Sequence, residues 1–201
     1  HADRLVSISH SIALSGITRV DQSDATYLLY RRDNHVFTDV GVYRATAVNM
    51  RVSNSAPSSD ATSERVSAAR VTPSVFRVLE ATPVRGRGLT ESDAAPGAAA
   101  VAVISQGLWK RDFGADPGVI GRHLSIDGVD HEIVGVMPAR FSFPSRSVAL
   151  WVPLQFDPTH TNSAAFDYRG IARLRSGVSP AQATADLQRL LPQVPVAFPG
   201  R

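Results

Sequence analysis

At 201 residues, 43% of them apolar and 19% charged, the chain is long enough to bury a substantial core and too apolar to be disordered. It has no cysteine, which excludes disulfides, thiolate nucleophiles and Cys-based zinc sites together and leaves the redox compartment open. Its net charge of +3 comes from basic residues scattered singly or as pairs such as Arg31-Arg32 and Lys110-Arg111, so no basic stripe points to a nucleic-acid partner.

Alternating apolar and polar residues from Leu5 to Ala13 predict a first strand. Asp24 is the predicted cap of a helix through "ATYLLYRRDNHVFTDVGVYR", interrupted at Asn34. "RATAVNMRV" returns to alternation, "SNSAPSSDATS" reads as a surface loop, and "ERVSAARVT" reads as another strand. Thr72-Pro73 opens a short helix, "PSVFRVLE", and a long connection follows. The clearest signals come next. Ser105 is placed to cap "QGLWKRDF", whose Trp109 and Phe113 share one face, and Gly114 supplies a left-handed stop. "GRHLSI-DG-VDHEIVGVM" predicts a hairpin turning at Asp127-Gly128, with Leu124 and Ile126 opposite Val129, His131 and Ile133. "VALWVPLQF" predicts a buried strand whose Pro153 argues for an edge or a bulge. "YRGIARLRSGV" is a last strand, followed by a capping box at Ser179-Pro180-Ala181-Gln182 and a helix with Ala183, Leu187, Leu190 and Leu191 on one stripe. Pro192 and Pro195 end that helix. Short βα units thus flank a β-rich middle from about 105 to 156.

The pattern carries little chemistry. Neither phosphate-loop motif occurs, and the "GRG" at 86–88 lacks a following helix start or lysine. The glycines read individually: a helix stop at Gly114, a turn at Gly128 and a strand irregularity at Gly135. His131-Glu132 lacks the second histidine of a zinc helix motif, and His123 and His131 read as surface residues across the hairpin. No serine sits in G-x-S-x-G. Glu91 and Asp93 are the one carboxylate pair to weigh as general acid and base, against a solvated loop. Trp109, Phe113, Phe141, Phe143 and Trp151 read as core at helical and strand spacing, with an aromatic ligand platform the alternative. No cofactor, metal site or catalytic set is expected. Trp109, Phe113, Gly114, Gly121, Asp127, Gly128, Gly135, Trp151 and Pro153 are expected to shape the fold. The longest uncharged stretch, Ala94 to Trp109, is too short and too polar to span a membrane. No signal peptide opens the chain, so the expectation is a cytoplasmic protein or a piece whose targeting sequence lies elsewhere.

Four ordered blocks, "VTPSVFRVLEATPVRGRGLTESD", "VAVISQGLWKRDFGADPGVIGRHLSIDGVDHEIVGVMPARFSFP", "LWVPL" and "IARLRSGVSPAQATADLQRL", resemble the extracytoplasmic core domain of MacB-like and FtsX-like ABC transporter permeases, most of all the orphan permeases of acidobacteria. The likeness runs from about Asp24 to Leu191, with Glu80 at a place that the family usually gives to glycine. It implies an α+β fold of two lobes: a porter-like βαβ lobe from both chain ends (1–104 and 157–201) and an inserted β-rich, sabre-like lobe (105–156). It further implies a non-enzymatic domain on the periplasmic side of the bacterial inner membrane. Its partners would be the rest of its own permease chain with the transmembrane helices, a cytoplasmic ATPase domain, and a second permease copy or a periplasmic adaptor. Its role would be mechanotransmission, coupling ATP hydrolysis to export or envelope work. The alternative is a periplasmic module that binds a ligand or peptide.

Overall fold

The computed structural model describes residues 2–12, 17–52, 63–157, 160–161 and 165–198. In chain order it holds β1 (Leu5–Ile8), β2 (His10–Ile12), β3 (Ile17–Val20), α1 (Asp24–Asp33), β4 (Phe37–Val52), β5 (Glu64–Val71), α2 (Ser74–Val78), β6 (Arg85–Gly86), β7 (Val101–Ser105), α3 (Gln106–Phe113), β8 (His123–Ile126), β9 (Val129–Met137), β10 (Val148–Pro153), β11 (Arg169–Leu174), α4 (Pro180–Leu190) and α5 (Val194–Ala197). This is the α+β class expected. Contacts divide the chain into two units, one of His1–Arg44, Ser74–Glu80 and Gln155–Arg201, the other of Ala45–Pro73 and Ala81–Leu154. Residues 105–154 of the expected insert lie in the second unit, which also takes in 45–73 and 81–104 because β5 and β7 flank β10 in its sheet. The loop predicted at 53–63 falls almost wholly outside the described residues.

In the first unit the strand order is β1–β11–β4, with β11 antiparallel to both neighbours, so β1 and β4 run parallel with β11 between them. The helix between β1 and β4 starts one residue earlier than Asp24 suggested. Ser23 is its cap and forms a reciprocal box with Thr26: Thr26 N–H donates to Ser23 Oγ (3.1 Å) and Ser23 N–H to Thr26 Oγ1 (2.9 Å). The helix predicted to run on to Arg44 stops at Asp33, and Phe37 onward is strand. Asn34 makes the switch, its Nδ2 donating to the Tyr30 carbonyl (2.6 Å) and its Oδ1 accepting from Phe37 N–H (2.8 Å). Beyond it, "VFTDVGVYR" is rich in β-branched and aromatic residues, and a Cβ on Gly41 would meet Val75 of α2 at 2.9 Å. The core here is built on Tyr27, Leu29, Tyr30, Phe37, Val42 and Val75, all nearly inaccessible to water.

In the second unit the order is β5–β10–β7–β9–β6, with β5/β10 and β7/β9 parallel and the other pairs antiparallel. The hairpin strand β8 pairs with β9 and also with Met50–Val52 of β4. Helix α3 covers one face, and Leu108, Trp109 and Phe113 join Ile104, Leu124, Ile133 and Leu150 in a single apolar cluster. The expectation that Pro153 marks an edge or a bulge needs correcting. Strand β10 is interior, between β5 and β7; Pro153 is its last residue, past the Leu150 and Trp151 pairs with β7, where a missing N–H removes no ladder bond to that neighbour. The irregularity in β10 lies earlier, between Val148 and Leu150.

Candidate functional site

Each residue expected to shape the fold can be placed. Ser105 caps α3 by accepting from Leu108 N–H (3.1 Å), and Gly114 closes it in a left-handed conformation (φ 59°). The Trp109 indole N–H donates to the Asp116 carbonyl (2.8 Å), tying the loop after the helix back onto it, and Arg122 lies over the Phe113 ring at 5.1 Å. Asp127 (φ 49°) and Gly128 (φ 84°) make the hairpin turn, and the Asp127 carboxylate also accepts from Asn49 N–H (2.9 Å), fastening the turn to β4. Gly121 (φ 84°) donates its N–H to the Ile133 carbonyl (2.9 Å). Trp151 is 1% exposed, packs on Phe141 at 5.1 Å and donates to the Phe143 carbonyl (2.9 Å). Trp109, Phe113 and Trp151 are buried in the second unit, whereas Phe141 and Phe143 are half-buried.

The histidines do not converge. His123 Nδ1 is 2.6 Å from Asp130 Oδ2 and His131 Nδ1 is 2.9 Å from the Val129 carbonyl, each on the exposed hairpin, and among the described residues no group of three or more metal-ligating side chains comes together.

Asp93 departs from the expected solvated loop. Glu91 is exposed, whereas Asp93 is buried and accepts from Arg87 Nη1 (2.6 Å) and Nη2 (3.0 Å), from Thr90 N–H (2.7 Å) and from Thr90 Oγ1 (2.8 Å). Burial pushes its carboxyl up, but these hydrogen bonds outweigh burial and hold it below its ordinary 3.8. A carboxylate held ionised by four donors is a latch on its loop rather than a general acid. Asp93→Ala leaves the loop donors without this acceptor and should cost about 2–3 kcal/mol at pH 7, read from urea unfolding. Because the folded pKa is the lower one, this stability is present above pH 3.8 and drains as pH falls through the folded value, so the gap between wild type and the alanine variant should narrow in acid. A constant gap from pH 7 to pH 2.5 would show that the charge does not matter.

One concave feature has the makings of a binding site. In the first unit, a groove of about 580 Å³ lies between the β1–β2 segment and one face of α4. Val6 and Ile8 form one wall; Ala183, Leu187 and Leu191, at helical spacing, form the other, with Tyr30 and Phe37 also lining it. Its polar feature is His10. Gln22 is buried and donates Nε2–H to the Ile8 carbonyl (3.2 Å), so its Oε1 accepts from His10 Nε2–H at 3.0 Å. Burial lowers the His10 pKa from 6.5, partly offset by the Gln22 bond, so the imidazole is neutral at pH 7. With Tyr30 at 5.9 Å and Phe166 at 6.2 Å, His10 is an aromatic, uncharged element of the groove.

The family model for the MacB-like periplasmic core domain matches residues 2–190. The chain belongs to that family. Solved structures agree on the fold of this MacB-like periplasmic core domain. The periplasmic region of MacB from Actinobacillus actinomycetemcomitans superposes with a TM-score of 0.69 at 15% identity, covering 95% of this chain and 84% of that one. A domain described as that of a permease protein from Porphyromonas gingivalis gives 0.71 at 17%, covering 98% and 85%. The extracellular domain of the noncanonic ABC-type transporter YknZ from Gram-positive bacteria gives 0.58 at 14%, covering 93% and 92%. No protein among the curated sequences matches this chain.

Glu80, where the sequence departs from the expected glycine, has φ 52°, the left-handed region, and its carboxylate lies 3.5 Å from Arg173 Nη1. The groove escaped the sequence reasoning, since its walls come from the two ends of the chain and no local pattern joins them. The signal available was Leu187 and Leu191 extending the apolar stripe of α4: Ala183 and Leu190 are buried, whereas Leu187 is half-buried and Leu191 is 42% exposed.

Proposed function

We propose that this domain is the extracytoplasmic part of an ABC transporter permease on the periplasmic side of a bacterial inner membrane, and that it transmits motion driven by cytoplasmic ATP hydrolysis without chemistry of its own. The observation that carries the reading is the family match, which spans nearly the whole chain. The side chains support it: the candidate acid-base residue Asp93 is committed to holding a loop, and the histidines of the hairpin bond to their own hairpin. The first unit, holding the first and last strands among the described residues, is read as the porter-like lobe joined to the transmembrane helices, and the second as the inserted sabre-like lobe. The partners proposed are the rest of the permease, its ATPase domain, and a second permease copy or a periplasmic adaptor.

Among the described residues no helix is long and apolar enough to cross a membrane. Fractionation of the host with an antibody against the domain tests the permease reading. A band much larger than 21.5 kDa that stays with the inner membrane after carbonate washing is expected, and a soluble band near 21.5 kDa would overturn the reading. The second reading, a module that captures a small molecule or peptide, rests on the groove beside β1.

A further inference from the structure

A second hollow in the first unit, of about 460 Å³, is lined by Arg19, Val20, Asp21, Phe166 and Arg169 and shares no lining residue with the groove beside β1. The backbone brings these residues together. Gln22, directly after Asp21, exchanges main-chain hydrogen bonds with Tyr168, directly before Arg169: Gln22 N–H donates to the Tyr168 carbonyl (2.6 Å) and Tyr168 N–H to the Gln22 carbonyl (3.1 Å). The Gln22 side chain is buried and donates to the Ile8 carbonyl (3.2 Å), which pins this crossing to the end of β1. Phe166 meets His10 edge-on, with 6.2 Å between ring centres, and keeps 40% of its surface exposed.

Two guanidinium groups set this hollow apart. Arg32, Arg77, Arg87, Arg111, Arg122 and Arg189 each hold a carboxylate within 3.3 Å. Arg19 and Arg169 are both exposed and, among the described residues, make no ion pair or side-chain hydrogen bond, even with Asp21 lining the same hollow. Two like charges on one concave surface raise the local potential for an anion, and the guanidinium fork matches a carboxylate through two hydrogen bonds.

We infer that this hollow binds an acidic peptide segment of a partner protein, with an Asp or Glu carboxylate for Arg19 and Arg169 beside an apolar side chain for Phe166. The lining selects that class. A free inorganic anion satisfies the arginines but leaves Phe166 and Val20 uncovered, and a polyanion is repelled by Asp21. A peptide brings a carboxylate for the cations, an apolar side chain for Phe166 and a main-chain N–H for the Asp21 carboxylate. Such recognition is a property of the domain's own surface and does not depend on the permease reading.

Random peptides displayed on phage, panned in phosphate-free buffer against the 201-residue chain and in parallel against its Arg19→Gln/Arg169→Gln variant, test the assignment. Both arginines are exposed, so the variant should melt within about 2 °C of wild type. Peptides selected on the wild type should carry Asp or Glu next to an apolar residue. Made synthetically, they should bind wild type at least about 10-fold more tightly than either single arginine variant and about 5-fold more tightly than Phe166→Ala. Arg65→Gln, at an exposed position in the second unit, should leave binding unchanged. Selected peptides that lack acidic residues, or that bind the double variant as tightly as wild type, would overturn the inference. So would failure to select any peptide. Inorganic phosphate binding wild type as tightly as the peptides would also overturn it, because the hollow would then serve a free anion.

Discussion

Trp151→Ala should lower the stability of the domain by about 3–5 kcal/mol, a drop of about 10–15 °C in thermal midpoint for a chain of this length. Trp151 stands on an interior strand between β5 and β7 and is 1% exposed. Its ring packs on Phe141 and its indole N–H donates to the Phe143 carbonyl, so alanine opens a large cavity and removes a bond that holds residues 141–143 against the sheet. Trp151→Phe, which keeps most of the volume and loses the donor, should cost about 1–2 kcal/mol. Equal losses for the two variants in a thermal melt would show that the hydrogen bond, and not the volume, carries the effect. A midpoint within about 2 °C of wild type for Trp151→Ala would contradict the packing described and favour an exposed aromatic platform.

Gly135→Ala should be comparably damaging, for a different reason. A Cβ at Gly135 would lie 2.0 Å from the Arg87 carbonyl oxygen and 3.0 Å from its carbon, backbone atoms that cannot swing aside as a side-chain tip can. The residue sits where the β7–β9 register slips, Ala102 pairing with Ile133 but Val103 with Gly135, and where β6 approaches. To admit a methyl group, β6 must peel away and give up Val84 N–H to Val136 O and Arg87 N–H to Val134 O, both 2.8 Å. About 3 kcal/mol is expected from urea unfolding, with faster proteolysis around residues 84–88. Gly128→Ala is the control. Its φ of 84° is strained for alanine, yet nothing lies within 4 Å of the added carbon, so its cost should be about 1–2 kcal/mol. If Gly135→Ala costs no more than Gly128→Ala, the close approach of β6 is not what the glycine serves.

Where the chain announces itself locally, the sequence was legible. The helix at Gln106–Phe113 carries a cap and a stop within its own ten residues, the hairpin carries Asp-Gly at its turn, and α4 carries a capping box with proline at its first position. Each is governed by interactions between near neighbours, which periodicity and turn chemistry report directly. The errors came where long-range packing decides. "VFTDVGVYR" has residues at near-helical spacing, and its β-branched and aromatic side chains together with its pairing with β11 make it strand. Pro153 was read as marking an edge or a bulge because proline breaks ladders, but its strand is interior and ends there, with its irregularity earlier, between Val148 and Leu150. Asp93 looked like a solvated loop carboxylate because its donor Arg87 lies six residues upstream across an irregular turn. The candidate groove was the least legible part. Its walls, near residues 6–10 and 183–191, become neighbours only when β1 pairs with β11, a contact across most of the chain.

The central claim is that the domain moves with an ATP-driven permease, and distance measurement in the assembled transporter tests it most directly. The chain has no cysteine, so Val129→Cys, at a position 54% exposed at the start of β9 beside the hairpin turn, gives a single labelling site in the domain. With one spin label there and a second on the membrane part of the permease, in a transporter reconstituted with its ATPase, pulsed dipolar spectroscopy should give one distance distribution without nucleotide and a shifted one when ATP is trapped. The same distribution in both states, from a transporter that hydrolyses ATP normally, would contradict the account.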